Sequence, residues 1–109
     1  MSQECKISEM INYIKDKLGK ERLLCQLAEE ASELAQAALK LVRVYDGANP
    51  TPVSEKDAYA NLREEIADVW LILNFLETNN NFYEYGEMMN KKTERWYNRI
   101  KESMKKNGK

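Results

Sequence analysis

The chain has 109 residues, 43% of them hydrophobic and 32% charged, with no histidine, two cysteines, four glycines and two prolines. The length fits one domain spanning 1–109, and the absent histidine excludes Ser-His-Asp and Cys-His catalysis, histidine zinc sites and a histidine general base. Neither GxGxxG nor GxxxxGK(S/T) occurs, and 17 basic against 18 acidic residues give a net charge of -1, which argues against nucleic acid as a partner.

Four helical segments follow in chain order. Ile7, Met10, Ile11, Ile14 and Leu18 recur at helical spacing until Gly19 interrupts them. Leu24, Leu27, Ala31, Leu34, Ala38 and Leu41 then alternate steps of three and four, a stripe that ends near Tyr45-Asp46-Gly47. Asn49-Pro50-Thr51-Pro52 reads as a loop, because each proline disfavours helix in the residue before it. Ser54 with Asp57 three residues on resembles an N-cap, opening a third helix with Leu62, Ile66, Val69, Leu73 and Leu76. Asn79-Asn80-Asn81 breaks the chain before a fourth segment carrying Tyr85, Met89, Trp96, Ile100 and Met104. No strand alternation or internal repeat is visible. The expected fold is all-α, bundle-like, with four helices and a frayed basic tail over about 101–109.

Cys5 and Cys25 have neither a metal-site nor a disulfide-framework spacing, which fits a reducing cytoplasm. Charges scattered through residues 1–20 leave no apolar region of a signal peptide. The longest apolar stretch, Val69 to Leu76, is too short to span a membrane, so no membrane partner is expected.

Three acidic pairs stand three residues apart: Glu30/Glu33, Glu65/Asp68 and Glu84/Glu87. Each pair shares a helix face, where acids ordinarily meet water. The last sits beside a polar turn and reads as solvated. The first two differ. At roughly 100° per residue, Glu30 and Glu65 fall about 60–70° to one side of their apolar stripes, and Glu33 and Asp68 about 120–130° to the same side. The run Val69-Trp70-Leu71-Ile72-Leu73 makes its helix apolar on nearly every face, the pattern of a buried helix. Carboxylates beginning such a run need a cation to stay charged. If the two helices pack side by side, Glu30, Glu33, Glu65 and Asp68 converge. Hard oxygen donors with no histidine or cysteine suit Mg²⁺ or Mn²⁺, and such a site commonly serves a phosphate substrate. On the fourth helix Lys92 lies inside the apolar stripe, and Arg95 and Arg99 share its face. These cations read as phosphate contacts or as snorkelling side chains.

The segment Leu27-Ala28-Glu29-Glu30-Ala31-Ser32-Glu33-Leu34, followed by Glu64-Glu65-Ile66-Ala67-Asp68-Val69, resembles the ExxE…ExxD signature of MazG-like nucleotide pyrophosphohydrolases. These belong to the all-α NTP pyrophosphatase superfamily, with dimeric dUTPases and dCTP pyrophosphatases. The resemblance covers about Leu23 to Arg99, and Lys92-Thr93-Glu94-Arg95-Trp96 resembles the family's basic segment. It implies Mg²⁺-dependent hydrolysis of a (deoxy)nucleoside triphosphate to the monophosphate and pyrophosphate, in nucleotide-pool sanitation or control. By the same resemblance Glu30, Glu33, Glu65 and Asp68 are the catalytic metal ligands. Lys92 and Arg95 contact substrate phosphates, and the active form is a homodimer or homotetramer. Tyr13, Gln26 and Asn61 are candidates for contact with the base. The alternative is a non-catalytic helical interaction or scaffold module whose acidic pairs are structural.

Overall fold

The computed structural model describes residues 3–47, 53–76 and 82–108; the side chains of residues 3–5, Cys5 included, and of Phe82 lie outside that description. The expected loop at Asn49–Pro52 and the break at Asn79–Asn81 also fall outside it. The described residues are all-α: α1 (Gln3–Asp46), α2 (Glu55–Leu76) and α3 (Phe82–Lys106). The chain divides into two compact units, residues 1–77 and 78–109.

The first two expected helices both lie within α1, which is kinked between them at the non-helical residue Gly19. Gly19 adopts φ 78° and ψ 165°, a backbone region essentially closed to residues with a Cβ. At the far end of α1, Gly47 takes φ 73°, the left-handed conformation that commonly stops a helix. The Ser54 cap is present as its spacing predicts. Its Oγ accepts a hydrogen bond from the Asp57 backbone N–H at 3.0 Å, and its carbonyl accepts one from the Ala58 N–H at 3.0 Å. Across the connection, the Tyr45 hydroxyl donates to Glu55 Oε1 at 3.0 Å. Hydrogen bonding to Tyr59 and Glu55 pushes the Tyr45 hydroxyl well above its ordinary pKa.

In the first unit α1 packs against α2. Leu23, Ile72 and Phe75 form the main apolar cluster, with Ile11, Leu27 and Leu76 packed against it. Ala37, Leu41 and Ala58 extend the buried set. Fully burying one of the large side chains contributes about 1.5–3 kcal/mol.

The buried faces differ from the expected stripes. On α1 the protected positions include Leu23, Leu27, Glu30, Leu34, Ala37 and Leu41, while Leu24 and Ala38 are exposed. On α2 they include Ala58, Asn61, Leu62, Glu65, Val69, Ile72, Phe75 and Leu76, while Ile66 and Leu73 are exposed. Each face is turned by about 60° from the apolar stripe, in both helices toward the acidic pairs. Small residues at Ala37 and Ala58 permit close approach there, and Phe75 supplies bulk at the other end. That rotation brings Glu30 and Glu65 to the packed surface.

The second unit contains α3, whose described side chains are exposed apart from the half-buried position at Gly86. Its helix continues through Lys106, and the Asn107 and Gly108 N–H groups donate to the carbonyls of Ser103 and Lys105 at 3.1 and 3.2 Å.

Candidate metal centre

Glu30 and Glu33 come from α1 and Glu65 from α2. One carboxylate oxygen from each lies within 4.8 Å of the other two. Glu30 and Glu65 are half-buried, and Glu33 is exposed. The helical rise explains the pairing: Glu30 and Glu33 are one turn apart on one face, and Glu65 meets them from the facing helix.

The surroundings of these oxygens are unequal. Glu30 Oε1 accepts a hydrogen bond from Gln26 Nε2 at 2.9 Å. Glu30 Oε2 and Glu65 Oε2 are both buried and have no hydrogen-bond partner. A buried acceptor without a donor costs about 1–3 kcal/mol, and more when it carries charge. The Glu30 charge beside Glu33 holds the Glu33 carboxyl above the usual carboxylate range. Some loss of solvation and the Glu65 and Glu29 charges push in the same direction. Three clustered acids with two orphaned oxygens are electrostatically incomplete, and a divalent cation is the simplest complement. Carboxylate oxygens alone, in a chain without histidine, fit Mg²⁺ or Mn²⁺ and not a soft metal.

The fourth expected acid behaves differently. Asp68 is exposed on α2, one turn beyond Glu65, and does not join the other three at that distance. The convergence of Glu30, Glu33, Glu65 and Asp68 expected from sequence is thus a group of three. Lys92 and Arg95 are exposed on α3 in the second unit, where they line an open depression with Trp96, Arg99, Ile100 and Ser103. Among the candidates for base contact, Tyr13 is 64% exposed and has Lys17 Nζ 5.4 Å from its ring centre. Asn61 and Gln26 are half-buried. The bond from Gln26 to Glu30 is the feature that sequence reasoning missed. Its signal was the i,i+4 spacing of amide and acid on one helix face.

Comparison of the chain with models of known protein families, with curated proteins and with solved structures finds no match in any of the three.

Proposed function

We propose that the protein is a Mg²⁺-dependent nucleoside triphosphate pyrophosphohydrolase that releases the nucleoside monophosphate and pyrophosphate. The carrying observation is the group Glu30, Glu33 and Glu65, with two buried oxygens that no donor satisfies. The MazG-like ExxE…ExxD pattern supplies the reaction class. Glu30, Glu33 and Glu65 would hold the metal, and the resemblance implies Asp68 as a fourth ligand. A bound Mg²⁺ supplies Lewis-acid polarisation of phosphoryl oxygens. One of the protein's own acids would orient the attacking water and accept its proton, and Glu33, the exposed member of the group, is the candidate. For contact with substrate phosphates the candidates are those that the resemblance implies, Lys92 and Arg95.

The apolar surface of α2 supports an oligomer as the working form. Trp70 is 68% exposed, and Ile66, Leu71 and Leu73 are also exposed. Exposed apolar side chains of this kind commonly mark an association surface, which a second copy would cover in a homodimer or homotetramer. The same face favours the second reading, a non-catalytic helical interaction module.

Product analysis by ³¹P NMR separates the two readings. The first expects pyrophosphate and monophosphate in equal amounts from a nucleoside triphosphate in Mg²⁺, lost in Glu33→Gln and in Asp68→Asn with helix content unchanged. Wild-type turnover in both variants would remove the assignment of these acids. Absence of any Mg²⁺ or nucleotide binding by calorimetry would favour the interaction module.

A further inference from the structure

Trp96 is 70% exposed and lines an open depression of about 390 Å³ on α3, together with Lys92, Arg95, Arg99, Ile100 and Ser103. That volume lies at the small end of the roughly 300–1,000 Å³ of ligand sites. At about 100° per residue, Lys92, Arg99 and Arg95 fall about 40°, 60° and 100° to one side of Trp96. Ile100 falls about 40° to the other side, and the α3 acids Glu84, Glu87, Glu94 and Glu102 lie about 120° or more away. The depression therefore joins an aromatic and apolar surface to a row of three positive charges.

Two of its features serve no purpose within α3. Lys92 with Arg95, and Arg95 with Arg99, are like charges at i,i+3 and i,i+4, a spacing that weakens a helix. None of the three has an acidic partner among the described residues. The rings of Tyr13, Tyr59 and Tyr97 each carry a cation, at 5.4, 5.5 and 5.6 Å from the ring centre. The Trp96 ring carries none among the described residues, although three cations line the same depression. Cations at 92, 95 and 99 span about 10 Å of helix axis, which suits a chain of phosphates better than one compact anion. An indole face left open beside them suits a flat aromatic ring.

We propose that Trp96 is the platform on which the base of a nucleoside triphosphate stacks, with the phosphates on Lys92, Arg95 and Arg99. This rests on the pyrophosphohydrolase reading for the class of ligand, and it assigns the base contact to Trp96 in place of Tyr13, Gln26 or Asn61. Stacking on an aromatic side chain is tolerant of base identity, because every base has a π-face. Trp96 therefore supplies affinity for nucleotides as a class and leaves the choice among bases to other groups.

The test is calorimetric titration of the full chain, in chelator without metal, with ATP and with inorganic tripolyphosphate. Trp96→Ala removes the platform, and Trp96→Phe keeps a smaller one. Trp96→Ala is expected to weaken ATP binding about 5- to 150-fold and to leave tripolyphosphate at wild-type affinity, with helix content unchanged. Trp96→Phe is expected to retain most of the ATP affinity. In Trp70→Phe, where Trp96 is the one indole left, ATP should quench the emission and tripolyphosphate should not. Wild-type ATP affinity in Trp96→Ala overturns the platform. An equal loss for both ligands, or a loss of helix content, makes Trp96 structural and also overturns it. Binding of neither ligand by wild type overturns the site on α3. Pyrophosphate release in Mg²⁺ is read separately, so wild-type turnover alongside unchanged ATP affinity in Trp96→Ala removes the role of Trp96 and leaves the proposed reaction standing.

Discussion

Glu65→Gln reports on the acidic group through stability, independently of turnover. Glu30 and Glu65 place carboxylate oxygens within 4.8 Å of each other. Like charges at that separation repel by about 1 kcal/mol at the dielectric of water, and by about 3.5 kcal/mol at an effective dielectric of 20. Both residues are half-buried, so the repulsion falls between these limits. Glutamine keeps the shape, removes the charge and adds an N–H that can donate to the remaining acids. The metal-free variant is therefore expected to be more stable than wild type by about 1–3 kcal/mol, a rise of about 4 °C in melting temperature per kcal/mol for a chain of this size. Thermal melts at pH 8, low salt and excess chelator would show it. In saturating Mn²⁺ the order should invert, because a ligand that binds only the folded state stabilises it and the variant has lost a ligand. A variant less stable than wild type in chelator would refute the claim that these acids are held together against their own charge.

The pKa of Glu33 gives a further expectation. A carboxyl whose native pKa is raised favours the folded state while protonated, so its contribution is present below the ordinary value of 4.5 and is lost as pH rises through the raised native value. Metal-free wild type should lose stability relative to Glu33→Gln across that window in urea unfolding at stepped pH, and parallel curves would contradict it. Gly19→Ala should cost about 1–3 kcal/mol: a Cβ at this position would meet nothing within 4 Å, so the penalty comes from the backbone conformation at φ 78° and ψ 165° alone. Chemical denaturation reads it directly, and an unchanged midpoint would show that the chain does not need this bend. Sedimentation at micromolar concentration should give a dimer or larger species for wild type and a monomer for Trp70→Glu. A wild-type monomer would leave the exposed face of α2 without the proposed occupant.

Much of this architecture is legible in the residues themselves. Gly19, Gly47 and Ser54 are local signals, each tied to one backbone conformation or one hydrogen bond, and the structure places all three as their chemistry requires. The rotation of the buried faces is not local. Leu24 and Ala38 on α1 and Ile66 and Leu73 on α2 are as apolar as their protected neighbours, so hydrophobicity alone does not choose which side of each helix meets the other. The choice depends on which small and large side chains fit across the interface, Ala37 and Ala58 at one end and Leu23, Ile72 and Phe75 at the other. Matching angles correctly indicated that acids from two helices could meet. They could not separate Glu33, which joins the group, from Asp68, which stays outside it, because both lie at similar angles on their own helices. Nor does sequence show which oxygen of Glu30 the Gln26 amide occupies.

The most direct test of the proposed activity is a panel of canonical and damaged nucleoside triphosphates, with ribose and deoxyribose, incubated with wild type in Mg²⁺ and in Mn²⁺. At least one nucleotide should yield monophosphate and pyrophosphate in equal amounts, with the reaction stopped by chelator and absent in Glu65→Gln. No turnover of any nucleotide in either metal, or turnover unchanged in Glu65→Gln, would contradict a pyrophosphohydrolase built on Glu30, Glu33 and Glu65.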